Sequence, residues 1–376
     1  MADICLLEVV TFLCKKIGTT CQNDREAHLI LQLMKDCCQV TAPGVLFIAE
    51  AIVAPVEITK YFGEDAVIAK ECEIAYNASF MALLWDAVAT KNTNLLSQGI
   101  KSVPHKLDGA TWLNYIRCHD DIGLGFDDAD IIKVGYEPHA HRKFLIDYYT
   151  GVFETSVSRG QPFSQNNKTG DARISGSLAS LVGLEYALET EDEELLDKSI
   201  KLTLLLHSMI MSFGGIPLLY YGDEIGTVND VSFIQNEDKA NDNRWLHRPQ
   251  INWEKADLRK QHGSVEQKLF DGLKHMIAVR KSTSAFADFN NRELIDTGNE
   301  HLFIFIRNHF NRQYESVLVV GNFDDKPQML SLSELGNRDF FALGKLRDLA
   351  TGESPALFKD QLVIPPYRYY WLTAQP

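Results

Sequence analysis

The chain has 376 residues, 45% of them hydrophobic and 23% charged, ordinary values for a soluble globular protein with room for one large domain and a smaller one. Its 37 basic and 51 acidic side chains leave a formal net charge of −14, which argues against nucleic acid or an anionic membrane as a partner and suits a neutral, polar one. No stretch reaches the roughly 18 to 20 apolar residues of a membrane span, and no basic segment followed by an apolar core opens the chain, so no membrane contact and a cytoplasmic location are expected.

The opening third alternates strands with helices, the pattern of a parallel sheet or barrel. A short apolar run at the start closes on Glu8, and helical spacing from Ala27 to Cys38 puts Leu29, Ile30, Leu33, Met34 and Cys37 on one face. The strand from Gly44 to Ile48 follows directly and ends in Ala49-Glu50. A helix over Asn77 to Ala89, rich in Met81, Leu83, Leu84 and Trp85, leads to a strand from Trp112 to Ile116 that ends in Arg117-Cys118-His119-Asp120-Asp121. All seven cysteines, from Cys5 to Cys118, lie in this third with no Cys-x-x-Cys pair, which reads as reduced thiols rather than disulfides or a zinc site.

From Asp121 to Ala187 the alternation gives way to aromatic, Arg-rich and Gly-rich sequence, as expected of an inserted subdomain above an active face. The pattern resumes with a helix over Ser199 to Ser212 and a buried strand over Ile216 to Tyr221, ending in Gly222-Asp223-Glu224. That acidic corner reads as structural. Loops with Trp245 and Trp253 precede a helix from Ser264 to Lys281. Period-two runs at 302–306, 316–320 and 361–364 then announce an antiparallel domain from residue 293 onward. Acids at two or three neighbouring strand ends are what a sugar-cleaving site needs, since two carboxyls must face one glycosidic oxygen.

The ordered motifs Glu50-Ala51-Ile52-Val53, Glu71-Cys72-x-Ile74-x-Tyr76-Asn77, Met81-Ala82-Leu83-Leu84-Trp85, Asn114-Tyr115-x-Arg117-x-His119-Asp120-Asp121-Ile122-Gly123, Gly170-Asp171-x-Arg173-x-Ser175-Gly176, Tyr221-Gly222-Asp223-Glu224-x-Gly226-Thr227 and Asp242-x-Arg244-Trp245-x-His247-Arg248-Pro249 resemble the amylosucrase and sucrose hydrolase group of the α-amylase superfamily, glycoside hydrolase family 13. The resemblance runs from about Asp3 to the C-terminus. It implies an α/β fold: an incomplete (β/α)8 barrel from the fourth strand onward, with strands four to seven in residues 1–120, an inserted subdomain in 121–187 and the end of the barrel with its eighth strand in 188–292. A β-sandwich-like domain would occupy 293–376. It also implies retaining chemistry on sucrose with an α-glucan acceptor, with no metal and no organic cofactor.

In that reading Glu50 is the acid/base and Glu8 holds the nucleophile position. Asp120 stabilises the transition state, and His119 hydrogen-bonds the same sugar ring. Arg244 floors the glucosyl pocket and Asp121 lines it. Arg142 and Arg173 stand as substrate contacts or as structural ion-pair partners, both roles that arginine fills readily.

Three departures accompany the resemblance. The family pattern of Arg, one residue, then nucleophilic Asp is replaced by Leu6 and Glu8; the added methylene moves the attacking oxygen by about 1 to 1.5 Å, enough to cost on the order of a hundredfold. The three preceding strands have no counterpart, which is expected to leave Arg244 without its acidic partner. Ala54 stands before Pro55 where close relatives tend to carry histidine. An impaired glucosyl enzyme is therefore the first expectation, and a non-catalytic, carbohydrate-binding or scaffold remnant the alternative.

Overall fold

Short apolar runs that end on polar residues form the central sheet. A computed structural model describes residues 4–374 apart from 9, 20, 54, 65, 66, 69, 104, 288, 289, 310, 312–314, 336–345 and 360; Ala54 therefore lies outside the described residues. Strands β1 (Ile4–Leu7), β2 (Leu46–Ala49), β3 (Ile74–Tyr76) and β4 (Thr111–Asn114) pair side by side, all parallel. A two-stranded antiparallel ribbon follows, β5 (Gln161–Phe163) with β6 (Arg173–Ser175), and then β7 (Ile216–Pro217) joins the far side of β4 in parallel. Among the described residues the sheet is open, with β1 and β7 at its edges. Among the described residues the run expected to be a strand as far as Tyr221 pairs at Ile216 and Pro217, the Leu218 amide still donating to the Asn114 carbonyl at 2.8 Å, and the chain turns at Gly222 with φ +89°.

The remaining strands, β8 (Arg292–Leu294), β9 (Leu302–Arg307), β10 (Val317–Asn322), β11 (Gln328–Ser331), β12 (Leu346–Asp348), β13 (Leu357–Phe358), β14 (Gln361–Ile364) and β15 (Tyr369–Ala374), are antiparallel throughout. They make one sheet in the order β12-β15-β10-β9-β8 and a second in the order β11-β14-β13. Arg307, fully buried, holds this region to the helix Glu193–Ser212 by donating from Nη1 to the Ser212 carbonyl at 2.6 Å and from Nε to Asn291 Oδ1 at 3.0 Å. No helix of the described residues is long and apolar enough to cross a membrane.

The helix Arg25–Thr41 corrects one expectation. Its apolar positions share a face, but Leu29, Ile30, Leu33 and Met34 are exposed, and the helix buries Ala27, Leu31 and Lys35 instead. Lys35 is held inward by the Glu73 carboxylate, by the Val45 carbonyl and by the Phe47 ring 5.1 Å away, so a charged residue wins the buried position through its partners.

The helix Ala78–Thr90 is buried nearly throughout, as its largely apolar composition demands, with Ser79 and Asp86 buried among the apolar residues. Its cap starts a directed relay. The Phe80 amide donates to Asn77 Oδ1 at 3.3 Å, Asn77 Nδ2 donates to Asn114 Oδ1 at 2.8 Å, and Asn114 Nδ2 donates to the Gly214 carbonyl. The relay ties the ends of β3, β4 and β7 together. At Gly215, where φ is +100°, a Cβ would collide with the Trp112 carbonyl, so only glycine admits β7 beside β4.

Trp85, fully buried in the same helix, packs edge-on to Tyr149 and donates from its indole to the Ile116 carbonyl at 2.8 Å. That carbonyl begins the segment leading to His119 and Asp120. Trp85→Phe keeps an aromatic ring in place and leaves the carbonyl without its donor, so the urea-unfolding midpoint should fall by the equivalent of about 1 to 3 kcal/mol.

Candidate active site

Parallel register sets the geometry. Leu7 pairs with Ala49, and Ala49 with Ala75, so the next residues, Glu8 and Glu50, stand side by side past the C-terminal ends of β1 and β2, level with Tyr76, the last residue of β3. The Glu50 amide donates to the Leu7 carbonyl at 3.3 Å, which fixes the two acidic ends against each other. The segment after β4 swings His119 over both. Its Nε2 lies 3.8 Å from Glu8 Oε1 and 3.9 Å from Glu50 Oε1.

The two carboxyls differ sharply in environment. Glu50 is 7% exposed and its Oε2 has no hydrogen-bond partner among the described residues, whereas the Glu8 side chain is 69% exposed. Burial first, then the charges of Asp120 and Glu8, push the Glu50 carboxyl up to about 7. Glu50 can thus hold a proton near neutrality, as a general acid must.

Asp120 is held by two arginines. Arg244 Nη1 donates to its Oδ1 at 2.6 Å and Arg248 Nη2 stands 3.4 Å away. Arg244 also clasps Asp242 through Nη2 at 2.9 Å, and its guanidinium lies 5.0 Å from the Phe163 ring of β5. The expectation that Arg244 lacks an acidic partner is therefore overturned: Asp120 and Asp242 both serve, since the loop carrying Arg244 folds back over the end of β4. Asp121 is buried, with its Oδ2 3.4 Å from Arg173 Nη1 and its Oδ1 without a hydrogen-bond partner among the described residues. Burial raises its carboxyl.

Arg142 is not brought into this cluster. It pairs with Asp128, donates to the Leu124 and Phe126 carbonyls, and lines a separate cavity of about 560 Å³ with Glu137, His139 and Asp171.

Two positioning residues carry no individual sequence signal beyond their motifs. Arg117, buried, donates from Nε to Asp223 Oδ1 at 2.8 Å and from Nη1 to the His247 carbonyl at 3.2 Å, which confirms the structural role of the acidic corner at Asp223. His247 accepts from the Gly176 amide at Nδ1 and donates from Nε2 to the His119 carbonyl at 3.3 Å. Burial, then the Arg117 charge, lower its imidazole to about 3, so it stays neutral in that bridge. The Cys118 thiol, pushed up by burial to about 12, accepts from the Asp120 amide at 3.5 Å. Glu50, Cys118 and His119 each offer a ligand atom within 4.8 Å of the others.

No family model matches the chain. It is 23% identical over 378 residues, 99% of its length, to glucosylglycerate phosphorylase of Escherichia coli (strain K12), covering 60% of that protein. It is 25% identical over 389 residues, 97% of its length, to trehalose synthase/amylase TreS of Mycobacterium tuberculosis (strain CDC 1551 / Oshkosh), covering 57% of it. The chain thus spans about 60% of the length of these relatives. Among solved structures it resembles sucrose 6F-phosphate phosphorylase from Thermoanaerobacter thermosaccharolyticum, with TM-score 0.57 and 16% identity over 85% of this chain and 55% of that one. It also resembles AmyP in complex with maltotriose, with TM-score 0.59 and 13% identity over 93% of this chain and 62% of that one. The structural likeness is one of fold. Together these matches agree with the resemblance to glycoside hydrolase family 13 that the sequence motifs carry. The relatives are named phosphorylase and trehalose synthase, and the matches do not single out amylosucrase.

The raised Glu50 carboxyl has a stability consequence. A carboxyl whose folded value, about 7, exceeds its ordinary 4.5 favours the fold while protonated, a contribution complete below 4.5 and lost as pH rises through 7. Thermal midpoints measured with a chelator present should therefore decline more steeply across that window in the unmutated chain than in Glu50→Gln.

Proposed function

We propose that the chain carries an α-retaining glucosyl-transfer site acting on small α-glucosides or α-glucans. The observation that carries this reading is the convergence of Glu8, Glu50, His119 and Asp120 at neighbouring strand ends, with one imidazole 3.8 Å and 3.9 Å from the two glutamates. In it the five parallel strands are the fourth to eighth of a (β/α)8 barrel, residues 121–187 the insertion over its active face and residues from 293 a separate β-domain.

Glu50 gives its proton to the glycosidic oxygen as the bond to the anomeric carbon breaks, and the Glu8 carboxylate takes up that carbon. Glu50, now ionised, accepts the proton of the incoming acceptor hydroxyl, which releases Glu8. Asp120, oriented by Arg244 and Arg248, and His119 hold the ring hydroxyls as charge develops at the anomeric centre. Arg173, half exposed beside Asp121, faces the acceptor side. The relatives named glucosylglycerate phosphorylase and trehalose synthase/amylase favour a two-unit glucoside as donor, with sucrose as one candidate among several and phosphate, sugar or water as acceptor.

The test supplies purified chain with sucrose, trehalose, maltose and glucosylglycerate, each with and without phosphate, and measures glucose and glucose 1-phosphate. Turnover should appear on at least one donor, and Glu50→Gln should lower it by roughly a hundredfold to ten-thousandfold. A fluorinated glucosyl fluoride, which slows release of the covalent intermediate, should label the peptide containing Glu8 and leave Glu8→Gln unlabelled.

A second reading rests on a specific observation. Glu8 is 69% exposed, and Leu6 stands two residues before it where a cation would orient a nucleophile. A non-catalytic carbohydrate-binding member would bind these glucosides without turnover and without label, and Leu6→Arg with Glu8→Asp would not bring either.

A further inference from the structure

We infer that Glu50, Cys118 and His119 form a binding site for zinc. Among the described residues these three offer a carboxylate oxygen, a sulfur and an imidazole nitrogen all within 4.8 Å of one another. Zinc–ligand bonds of about 2.0 to 2.3 Å place the ligands of a tetrahedral ion roughly 3.3 to 3.8 Å apart. His119 Nε2 already lies 3.9 Å from Glu50 Oε1, so closure needs side-chain rotations of under about 1 Å at the longest separation.

A second observation is independent of that proximity. Glu50 Oε2 is buried and lacks a hydrogen-bond partner among the described residues, the condition of a polar atom that gains from a cation. The Asp120 amide, already donating to Cys118 Sγ at 3.5 Å, would steady a coordinated thiolate in the way outer hydrogen bonds support metal ligands. Glu8, 3.8 Å from His119 on the exposed rim, or a water would complete the fourth position.

The mixed oxygen, nitrogen and sulfur donors select the class of ion. Calcium and magnesium take oxygen ligands, whereas a thiolate with an imidazole suits zinc. On coordination Cys118 releases its proton to solvent, and so does Glu50 where it is protonated, so no oxidant or reductant enters. The ion would occupy the carboxyl assigned above to proton transfer and thereby oppose glucosyl chemistry. Binding itself does not depend on that assignment and is read without any sugar.

The experiment titrates purified, chelator-treated chain with zinc against a chromophoric chelator and, in parallel, with cobalt to record the near-ultraviolet thiolate-to-cobalt band. One ion per chain and a thiolate band are expected. Cys118→Ser and His119→Asn should each weaken zinc binding by at least about tenfold and Cys118→Ser should remove the band, whereas Cys37→Ser with Cys38→Ser should retain both. Wild-type affinity in Cys118→Ser, or no thiolate band in the unmutated chain, would overturn the site. Should the variants fail to fold, diethyl pyrocarbonate labelling of the unmutated chain decides: zinc must protect His119 while exposed His262 stays reactive, and equal labelling of His119 with and without zinc refutes it.

Discussion

Parallel pairing is the constraint on which the site depends. Strands that all run the same way present their C-terminal ends on one edge, and a register of Leu7 with Ala49 and Ala49 with Ala75 leaves the following residue of each strand at a common level. A slip of one residue would send Glu50 to the opposite face of the sheet. The register is held from both sides, by the Glu50 amide on the Leu7 carbonyl and by the relay through Asn77 and Asn114. The acidic cluster is thus a product of backbone geometry before any side chain contributes.

On that frame, unequal solvation divides the work between similar groups. Glu8 and Glu50 are the same amino acid beside the same imidazole, yet one is open to water and the other buried under its neighbours' charge. Asp120 and Asp121 are adjacent in sequence, yet one faces Arg244 and Arg248 across the cleft while the other is drawn under the β5–β6 ribbon by Arg173. Burial raises the Glu50 and Asp121 carboxyls, and setting a buried acid beside a solvated or ion-paired one is a usual way to divide acid and base steps at one centre.

Much of this was legible in the sequence. The strand ends at Glu50 and at His119-Asp120, the buried helix around Trp85 and the change to period two near residue 293 all follow from spacing and composition. Less legible was anything settled by partners distant in the chain. Arg244 finds Asp120 across 124 positions, and Lys35 takes a buried place that helical periodicity assigns to leucines because Glu73 and the Val45 carbonyl await it. Arg142 reads from the sequence as either a substrate contact or a structural ion-pair partner, and the fold shows it paired with Asp128 and donating to backbone carbonyls. His247 gave no sign of its bridge, since a neutral imidazole with one donor and one acceptor looks like any other histidine until its neighbours are known.

The relay through Asn77 and Asn114 has a direction. It starts at a backbone donor, the Phe80 amide, and ends at a backbone acceptor, the Gly214 carbonyl, so each side chain between them must accept at one end and donate at the other. A primary amide does both, from two separate atoms of one planar group. Hydrolytic ageing of Asn114 to aspartate would exchange a single NH2 for oxygen and set a charged acceptor against a carbonyl in a buried place. The chemical lifetime of the three joined strand ends is in this sense bounded by the lifetimes of two side-chain amides, those of Asn77 and Asn114.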